Sequence, residues 1–367
     1  MTVSVPHVGF VLEQTLGHVT HADNLRTLIS TNPAIRASWY PIPFDGGWQA
    51  RLPVYSNWSV RAGVRARRQV RAGNGDDPLD AMFIHTQVPA VLIGSLRRKI
   101  PTVVSLDATP LQYDELAHHY RHSVGGRASE RLKLSLNKSC FDDAVRLVTW
   151  SQWAKAGLVS DYGVAPEKVI VIPPGVWVDR WQANGSHAPD DGVVRILFVG
   201  ADLARKGGEV LLDAFKSLRA EHGDATELHL VTKSAVAQGD GVFVYASMSP
   251  NSSELKELYH RCDIFCLPTR ADCLPMVLSE AGAAGLPLVS TAIGAISEIV
   301  RDGETGFTTP LDDGDALAAV LSKLVANRDL RHRLGAQASS LVKESFDAEK
   351  NANRLVALLR DVAAGAR

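Results

Sequence analysis

The segment Thr269–Val289 carries two carboxylates, Asp272 and Glu280, on either side of an expected helix start. A helix N-terminus presents unpaired backbone N–H groups and a partial positive charge, which suit a phosphate. Carboxylates flanking such a site accept hydrogen bonds from hydroxyls. An anion cradle between hydroxyl acceptors is what a sugar nucleotide requires. The same pair is also compatible with the acid and base of a glycoside hydrolase. That chemistry needs both carboxyls at one glycosidic bond. Glu280 falls about one turn inside the helix, a place better suited to holding a ribose. A capping Asp and a surface Glu are the plain structural alternative.

Four further segments carry candidate chemistry. Gly200-Ala-Asp-Leu-Ala-Arg-Lys-Gly-Gly208 follows an expected strand and precedes an expected helix. Its glycines let backbone approach a ligand, and Arg205 and Lys206 place charge beside the helix start. Two adjacent phosphates fit it, as does an ordinary turn with surface basic residues. Phe10–His18 is the corresponding first loop: Gly17 lets the chain pass close to a bound group, and His18 is placed for a phosphate or an acceptor. A plain strand-to-helix turn reads the same way. His85 and Asp107 each close an expected strand; Asp107 orients a hydroxyl, takes a proton or caps a turn, and His85 is a ligand or a satisfied strand-end histidine. Trp39, Trp48 and Trp58 offer stacking faces for an acceptor sugar or serve as loop anchors.

Strand, loop and helix alternate along the chain, which predicts parallel sheets covered on both faces. Expected strands are Val3–Leu12, Ala81–Ile84, Thr102–Leu106, Arg146–Thr149 and Val169–Ile172, with helices at His21–Ile29, Pro89–Arg98 and Gln152–Tyr162. Val171–Val176 is a stiff crossover, and Val178–Val193 reads as a linker. The pattern restarts at Arg195–Val199 and continues through Glu227–Thr232, Val242–Tyr245, Ile264–Leu267, Leu288–Ser290 and Gly306–Thr308. Expected helices there are Glu209–Glu221, Ser253–Arg261, Val277–Ala284, Ala295–Val300, Asp315–Ala326 and Asp329–Glu344. This is an α/β chain of two doubly wound, Rossmann-like domains facing across a cleft. Residues 1–177 form the acceptor-side domain and 178–349 the nucleotide-sugar domain, with a last helix, 350–367, able to pack back on the first.

The 367 residues are 46% hydrophobic and 22% charged, with a net charge of −1, so no global field draws nucleic acid. The arginines between Arg51 and Arg71 are a solvated face or a peripheral membrane contact. Cys262 and Cys266 lack a second ligand pair for zinc, and all four cysteines read as buried thiols. The first residues do not form a signal peptide, no run is long enough to span a bilayer, and a cytoplasmic location is expected, with peripheral contact at the inner membrane face.

In this order, the segments resemble the retaining glycosyltransferases of the GT-B fold, the family-4 group. Phe198–Gly207 resembles that group's phosphate segment, which implies that Arg205 and Lys206 bind the donor diphosphate. Asp272 to Glu280 occupies its paired-acid motif, which implies that the first acid meets the donor sugar and the second the ribose. Pro287–Glu298 and Asp302–Phe307 match what usually follows, as Ser151–Gly175 matches the exit of the first domain. The resemblance implies that Gly17, Gly200, Leu274, Pro275, Met276, Val277 and Glu280 line the donor, with Asp272 catalytic alongside Arg205 and Lys206; read from their own segments, His18 is a further donor contact and Asp107 a further catalytic candidate. Three positions depart from the pattern. Asp272 stands where Glu is usual, one methylene shorter. Leu274-Pro275 replaces Phe-Gly, and proline has no N–H to offer. Leu106-Asp107 occupies the strand end where many relatives carry a histidine.

The activity this implies is transfer of a hexose from a nucleoside diphosphate sugar to an acceptor with retention. A UDP-sugar is the favoured donor and a GDP-sugar the alternative; neither a metal nor a cofactor is expected. His85, Trp39 and Trp48 are the acceptor candidates, and the acceptor is a small molecule, a glycan or a lipid-linked sugar. The alternatives are a nucleotide-sugar-binding module that does not turn its ligand over, and a phosphorylase-type enzyme. A dehydrogenase does not fit, because no Gly-x-Gly-x-x-Gly with a following acid succeeds a strand.

Overall fold

A computed structural model of the chain describes residues 5–15, 17–44, 57–116, 126–182, 191–237 and 239–365. It divides into two compact units. The described part of unit 1 is residues 5–15, 17–44, 57–116, 126–175 and 348–365, and that of unit 2 lies within 176–347.

Unit 1 holds β1 (His7–Gln14), β2 (Arg36–Pro43), β3 (Ala81–His85), β4 (Thr102–Leu106), β5 (Arg146–Thr149) and β6 (Val169–Val171). They form one parallel sheet in the order β2-β1-β3-β4-β5-β6. Successive side chains of a strand point to opposite faces, and β1 shows the consequence. Val8, Phe10 and Leu12 enter a core shared with Leu25 and Ile29 of helix His18–Ile29 and with Leu355 and Leu359 of helix Ala348–Ala364. Val11 enters the opposite core, with Ala62, Ala66 and Val70 of helix Trp58–Asp76 and Phe141 of helix Arg127–Asp143. Each fully buried Val, Leu, Ile or Phe contributes about 1.5–3 kcal/mol relative to exposure.

Unit 2 holds β7 (Val194–Val199), β8 (Thr226–Val231), β9 (Val242–Tyr245), β10 (Ile264–Leu267), β11 (Leu288–Thr291) and β12 (Gly306–Thr309). This sheet too is parallel, in the order β12-β11-β10-β7-β8-β9. The order in which strands are added reverses once in each sheet, between β1 and β3 in unit 1 and between β7 and β10 in unit 2. Outside the carboxyl ends of such a strand pair, diverging connections leave a crevice.

Several elements differ from the sequence expectation. The edge strand β2 carries Pro41 and Pro43, residues that argue against a central strand but are tolerated where one side has no partner. Helices Trp58–Asp76 and Arg127–Asp143 add cover to the sheet. The expected helix Pro89–Arg98 is instead Gln87–Ala90, a 3₁₀ turn and Gly94–Arg97. Ala295–Val300 is reduced to the 3₁₀ turn Ile296–Glu298. The linker begins with a helical turn, Val178–Trp181, because Trp181 is buried against Tyr259 at a ring separation of 5.0 Å. All four cysteines are free and buried, and burial pushes the Cys262 and Cys266 thiols up.

Candidate functional site

In unit 2, the loops after β7 and β10 meet at the point where the strand order reverses. Lys206 is presented by the first loop and Asp272 by the second. Nζ of Lys206 lies 2.7 Å from both carboxylate oxygens of Asp272. Thr269 donates its hydroxyl to Asp272 Oδ2 at 2.7 Å. Arg205 donates to the Ala271 carbonyl at 2.7 Å and stands 3.5 Å from Asp272 Oδ1. Asp272 is therefore engaged by cations from its own chain. The carboxylate that the sequence offers as an acceptor for sugar hydroxyls also anchors Lys206 and lies beside Arg205.

Two glycines make that approach geometrically possible. A Cβ on Gly200 would lie 2.9 Å from Cγ of Lys206 and from the Phe198 ring. Gly207 is left-handed, with φ +72°, and a Cβ there would lie 1.8 Å from the Pro268 carbonyl oxygen. The second loop is pinned from below: Ser290 and Thr291 donate hydroxyl hydrogen bonds to the carbonyls of Leu267 and Thr269, each at 2.6 Å.

The helix beginning after that loop spans Met276–Ala283. Its N-cap is Pro275, no side chain caps it, and no acidic residue stands in its first turn. Leu274 and Pro275 are buried, whereas Met276 and Val277 are half-buried. Leu274 can therefore offer only backbone, and Met276 and Val277 offer N–H groups with the helix's partial positive charge. Glu280, one turn in, is 6% exposed, and its Oε2 accepts the Tyr259 hydroxyl at 3.2 Å. Burial pushes the Glu280 carboxyl up to about 7, with the Tyr259 hydrogen bond opposing.

That shift has a stability consequence with a definite sign. Between about pH 4.5 and 7 the unfolded chain has released a proton that folded Glu280 keeps. Stability should fall as pH rises through that window, by on the order of 3 kcal/mol, and level off above it. Glu280→Gln should remove this part of the slope. Urea midpoints at half-unit pH intervals check it, and equal slopes for the two proteins would reject it.

In unit 1, the carboxyl ends of β1, β3 and β4 gather a second cluster. Gly17 caps helix His18–Ile29 with ordinary right-handed angles, and a Cβ on it would meet nothing within 4 Å among the described residues. His18, the first helical residue, has its Nδ1 2.8 Å from Nε2 of His85 and its Nε2 3.7 Å from Oδ2 of Asp107. His85 is fully buried, stacked on Trp150 at 5.0 Å and 10°. Burial holds its pKa well below the usual histidine value, and the neighbouring His18 and His21 add to this. His21 is buried as well and is pushed down to about 3, chiefly by desolvation. At the same edge, Glu13 accepts hydrogen bonds from the Trp58 indole at 2.6 Å and from the Thr86 hydroxyl.

Two of the acceptor candidates take packing positions in unit 1. Neighbours cover His85 completely and engage both of its ring nitrogens. Trp39 stacks on Phe10 at 4.7 Å as part of the core margin, since its strand position points it at the sheet's apolar face. Trp48 lies outside the described residues. Sequence reading passed over Ser105, His21, Trp150, Thr269 and Tyr259. Ser105 and Trp150 sit at or just beyond strand ends, which was the available signal. Among the described residues, no group of three or more His, Cys, Asp or Glu is arranged to hold a metal, and no helix is long and apolar enough to cross a membrane.

Two family models match in succession: Glycosyltransferase Family 4 over residues 33–180, and Glycosyl transferases group 1 over residues 179–341. The chain is 32% identical over 226 residues to the MMP alpha-(1->4)-mannosyltransferase of Mycolicibacterium hassiacum, covering 58% of this chain and 53% of that one. It is 28% identical over 232 residues to the D-inositol 3-phosphate glycosyltransferase of Geodermatophilus obscurus, covering 57% and 51%. The chain thus spans about half the length of these curated relatives. Its fold is similar to that of Anabaena HepE, solved in complex with UDP-glucose, with a TM-score of 0.71 at 15% identity over 97% of this chain and all of that one. The matched segments and the paired parallel sheets together establish that the chain belongs to the family-4 group of glycosyltransferases of the GT-B fold.

Proposed function

We propose that this chain transfers a hexose from a nucleoside diphosphate sugar to a hydroxyl acceptor, with retention at the anomeric carbon and without a metal. The observation that carries this reading is the convergence of Arg205, Lys206 and the uncapped start of helix Met276–Ala283 at the strand reversal of unit 2. These groups are cationic or carry partial positive charge, and a diphosphate gains negative charge as its bond to the sugar breaks. Preorganised donors aimed at that charge lower the barrier, because they bind it more strongly in the transition state. Glu280 holds the ribose hydroxyls. The acceptor proton passes to the leaving phosphate on the same face as attack.

The relatives support a sugar nucleotide as donor: HepE was solved with UDP-glucose, and the matched enzymes are named for mannosyl and glycosyl transfer. A UDP-sugar is the first choice. The acceptor is a polyhydroxylated molecule, free or lipid-linked.

A thermal-shift panel of UDP-, GDP- and ADP-sugars in EDTA, followed by product NMR, tests the proposal, since a ligand of the folded state raises its apparent stability. One family of sugars should stabilise the protein and yield product with unchanged anomeric configuration. Binding without transfer would leave a non-catalytic module, and an inverted product would sink retention.

Gly17→Ala adds a finer test. Nothing in the described protein objects to that methyl, so the fold should be unaffected. If the loop passes against the donor, transfer should drop roughly tenfold or more, the cost of misplacing bound substrate. Unchanged kinetics would remove Gly17 from the site.

A further inference from the structure

Among the described residues, the Glu280 side chain has one hydrogen-bond partner. Its Oε2 accepts the Tyr259 hydroxyl at 3.2 Å, and no described residue bonds to Oε1. Oε1 is not sealed from solvent, although the residue as a whole is only 6% exposed. Tyr259 is fully buried in the last turn of helix Ser253–Arg261. Two other rings hold its phenol: Phe265 of β10 stacks on it at 5.7 Å and 11°, and Trp181 meets it edge-on at 5.0 Å and 80°. Trp181 is held in turn by the same helix. His260 donates from Nε2 to the Trp181 carbonyl at 2.9 Å, and the Lys256 ammonium lies 6.0 Å from the centre of the Trp181 ring. Lys256, Tyr259 and His260 stand at the i, i+3 and i+4 spacing that shares one helix face. A phenol in that frame has little freedom to turn away from Glu280.

An ionised carboxylate has no hydrogen to give, so in that state Tyr259 is the donor. The bond favours the charged form, which burial opposes. A ribose presents two adjacent hydroxyls, and a carboxylate accepts from both. A carboxylic acid keeps one oxygen occupied by its own proton and accepts less well. A nucleotide therefore selects the ionised form, and Tyr259 prepares it before the nucleotide arrives. Among the described residues, Tyr259 is the one titratable group that acts on Glu280, and Cys262 is the one other group that acts on Tyr259. Strands β10 and β11, the turn Val178–Trp181 and helix Arg328–Ser345 pack against helix Met276–Ala283 and bring no further charge to the carboxyl.

We propose that Tyr259 is a positioning residue for the nucleotide: its hydroxyl occupies Oε2 of Glu280 and leaves Oε1 as the acceptor of the ribose hydroxyls. The inference rests on the role given to Glu280 in the function proposed above. Tyr259 touches no substrate, since it is fully buried and acts through Glu280. Ribose recognition then depends on pH. The Glu280 carboxyl titrates at about 7, so the contact weakens below that pH and is complete above it. Tyr259→Phe keeps the packing and loses the bond, so the carboxyl stays neutral to higher pH.

Calorimetric titration of the full chain with UDP and with GDP, each beside its 2′,3′-dideoxy counterpart, tests this over a pH series spanning neutrality. The diphosphate ionises alike in both members of a pair, so the ratio of their affinities isolates the ribose hydroxyls. In the wild type that ratio should rise through about pH 7 and level off above it. In Tyr259→Phe the rise should come about one to two pH units higher, the worth of one hydrogen bond to a charged group. At neutral pH the ratio should therefore fall roughly fivefold or more, and at alkaline pH it should largely return. Dideoxynucleotide affinity should not change. A flat ratio in the wild type would overturn the proposal, as would a rise at the same pH in both proteins. Equal losses for the ribose and dideoxy compounds would mark a merely structural role and overturn it too. The ¹³C shift of the Glu280 carboxyl, assigned with Glu280→Gln, follows the same group without ligand; equal midpoints in wild type and Tyr259→Phe would remove the bond. A wild type that binds through the ribose and transfers no sugar would sink the proposed function and leave Tyr259 in its role.

Discussion

Lys206→Ala should lower turnover by roughly 10²- to 10³-fold, the loss typical of removing one preorganised stabiliser of developing negative charge. It should also destabilise the fold. Lys206 is bound to both oxygens of Asp272 with little of either side chain exposed. Deleting the cation leaves a carboxylate with Thr269 and the more distant Arg205, at a cost of about 3 kcal/mol. A single variant therefore confounds catalysis with stability, and a double-mutant cycle separates them. Lys206→Met combined with Asp272→Asn removes both charges, so the urea midpoint should return most of the way to wild type. Transfer should not return with it, because nothing else takes the place of the ammonium. Recovery of turnover together with stability would mean that Lys206 is a structural partner of Asp272 and does no work on the diphosphate.

The second large effect is on the backbone that aims Lys206. Gly207→Ala puts a methyl into a left-handed position and drives it to 1.8 Å from the Pro268 carbonyl oxygen. A left-handed alanine costs about 1–2 kcal/mol by its backbone alone. The contact adds more, because the obstacle is main chain at the end of β10 and cannot rotate away. We expect a loss of at least about 3 kcal/mol, and transfer reduced as far as by Lys206→Ala. Gly285→Ala is the internal control. It has a comparable φ of +82°, but a Cβ there meets nothing within 4 Å, so only the backbone cost should appear. Urea unfolding of the three proteins checks the pair of predictions. Equal losses at Gly207 and Gly285 would show that the Pro268 contact relaxes freely and does not hold the site.

Much of the site was legible as a set of local signals. The Gly200–Gly208 loop, the acids at Asp272 and Glu280, and Gly17 before a helix are each recognisable within about ten residues. What each does depends on a partner far along the chain. Asp272 read as an acceptor, and the order β10-β7 also brings Lys206 to it from 66 positions away. His85 read as a candidate ligand, and β3 lies between β1 and β4, where His18, Ser105 and Trp150 close over it. Trp39 sits on a strand that its two prolines hid, and its partner Phe10 belongs to the neighbouring strand. The chemistry of Glu280 was likewise out of reach, because its raised pKa comes from burial, which no neighbour in sequence reports.

The sequence by itself determined the alternation of strands and helices, the loops that close the sheets at their carboxyl ends, and the residue types those loops carry. These follow from periodicity, glycine placement and helix-start chemistry, all short-range properties of a chain. Only the tertiary structure decided which cation meets which carboxylate, which histidine is buried and which side chain still faces solvent. Those outcomes depend on strand order and register, because a one-residue slip exchanges the two faces of a strand and the reversal of order chooses which loops meet.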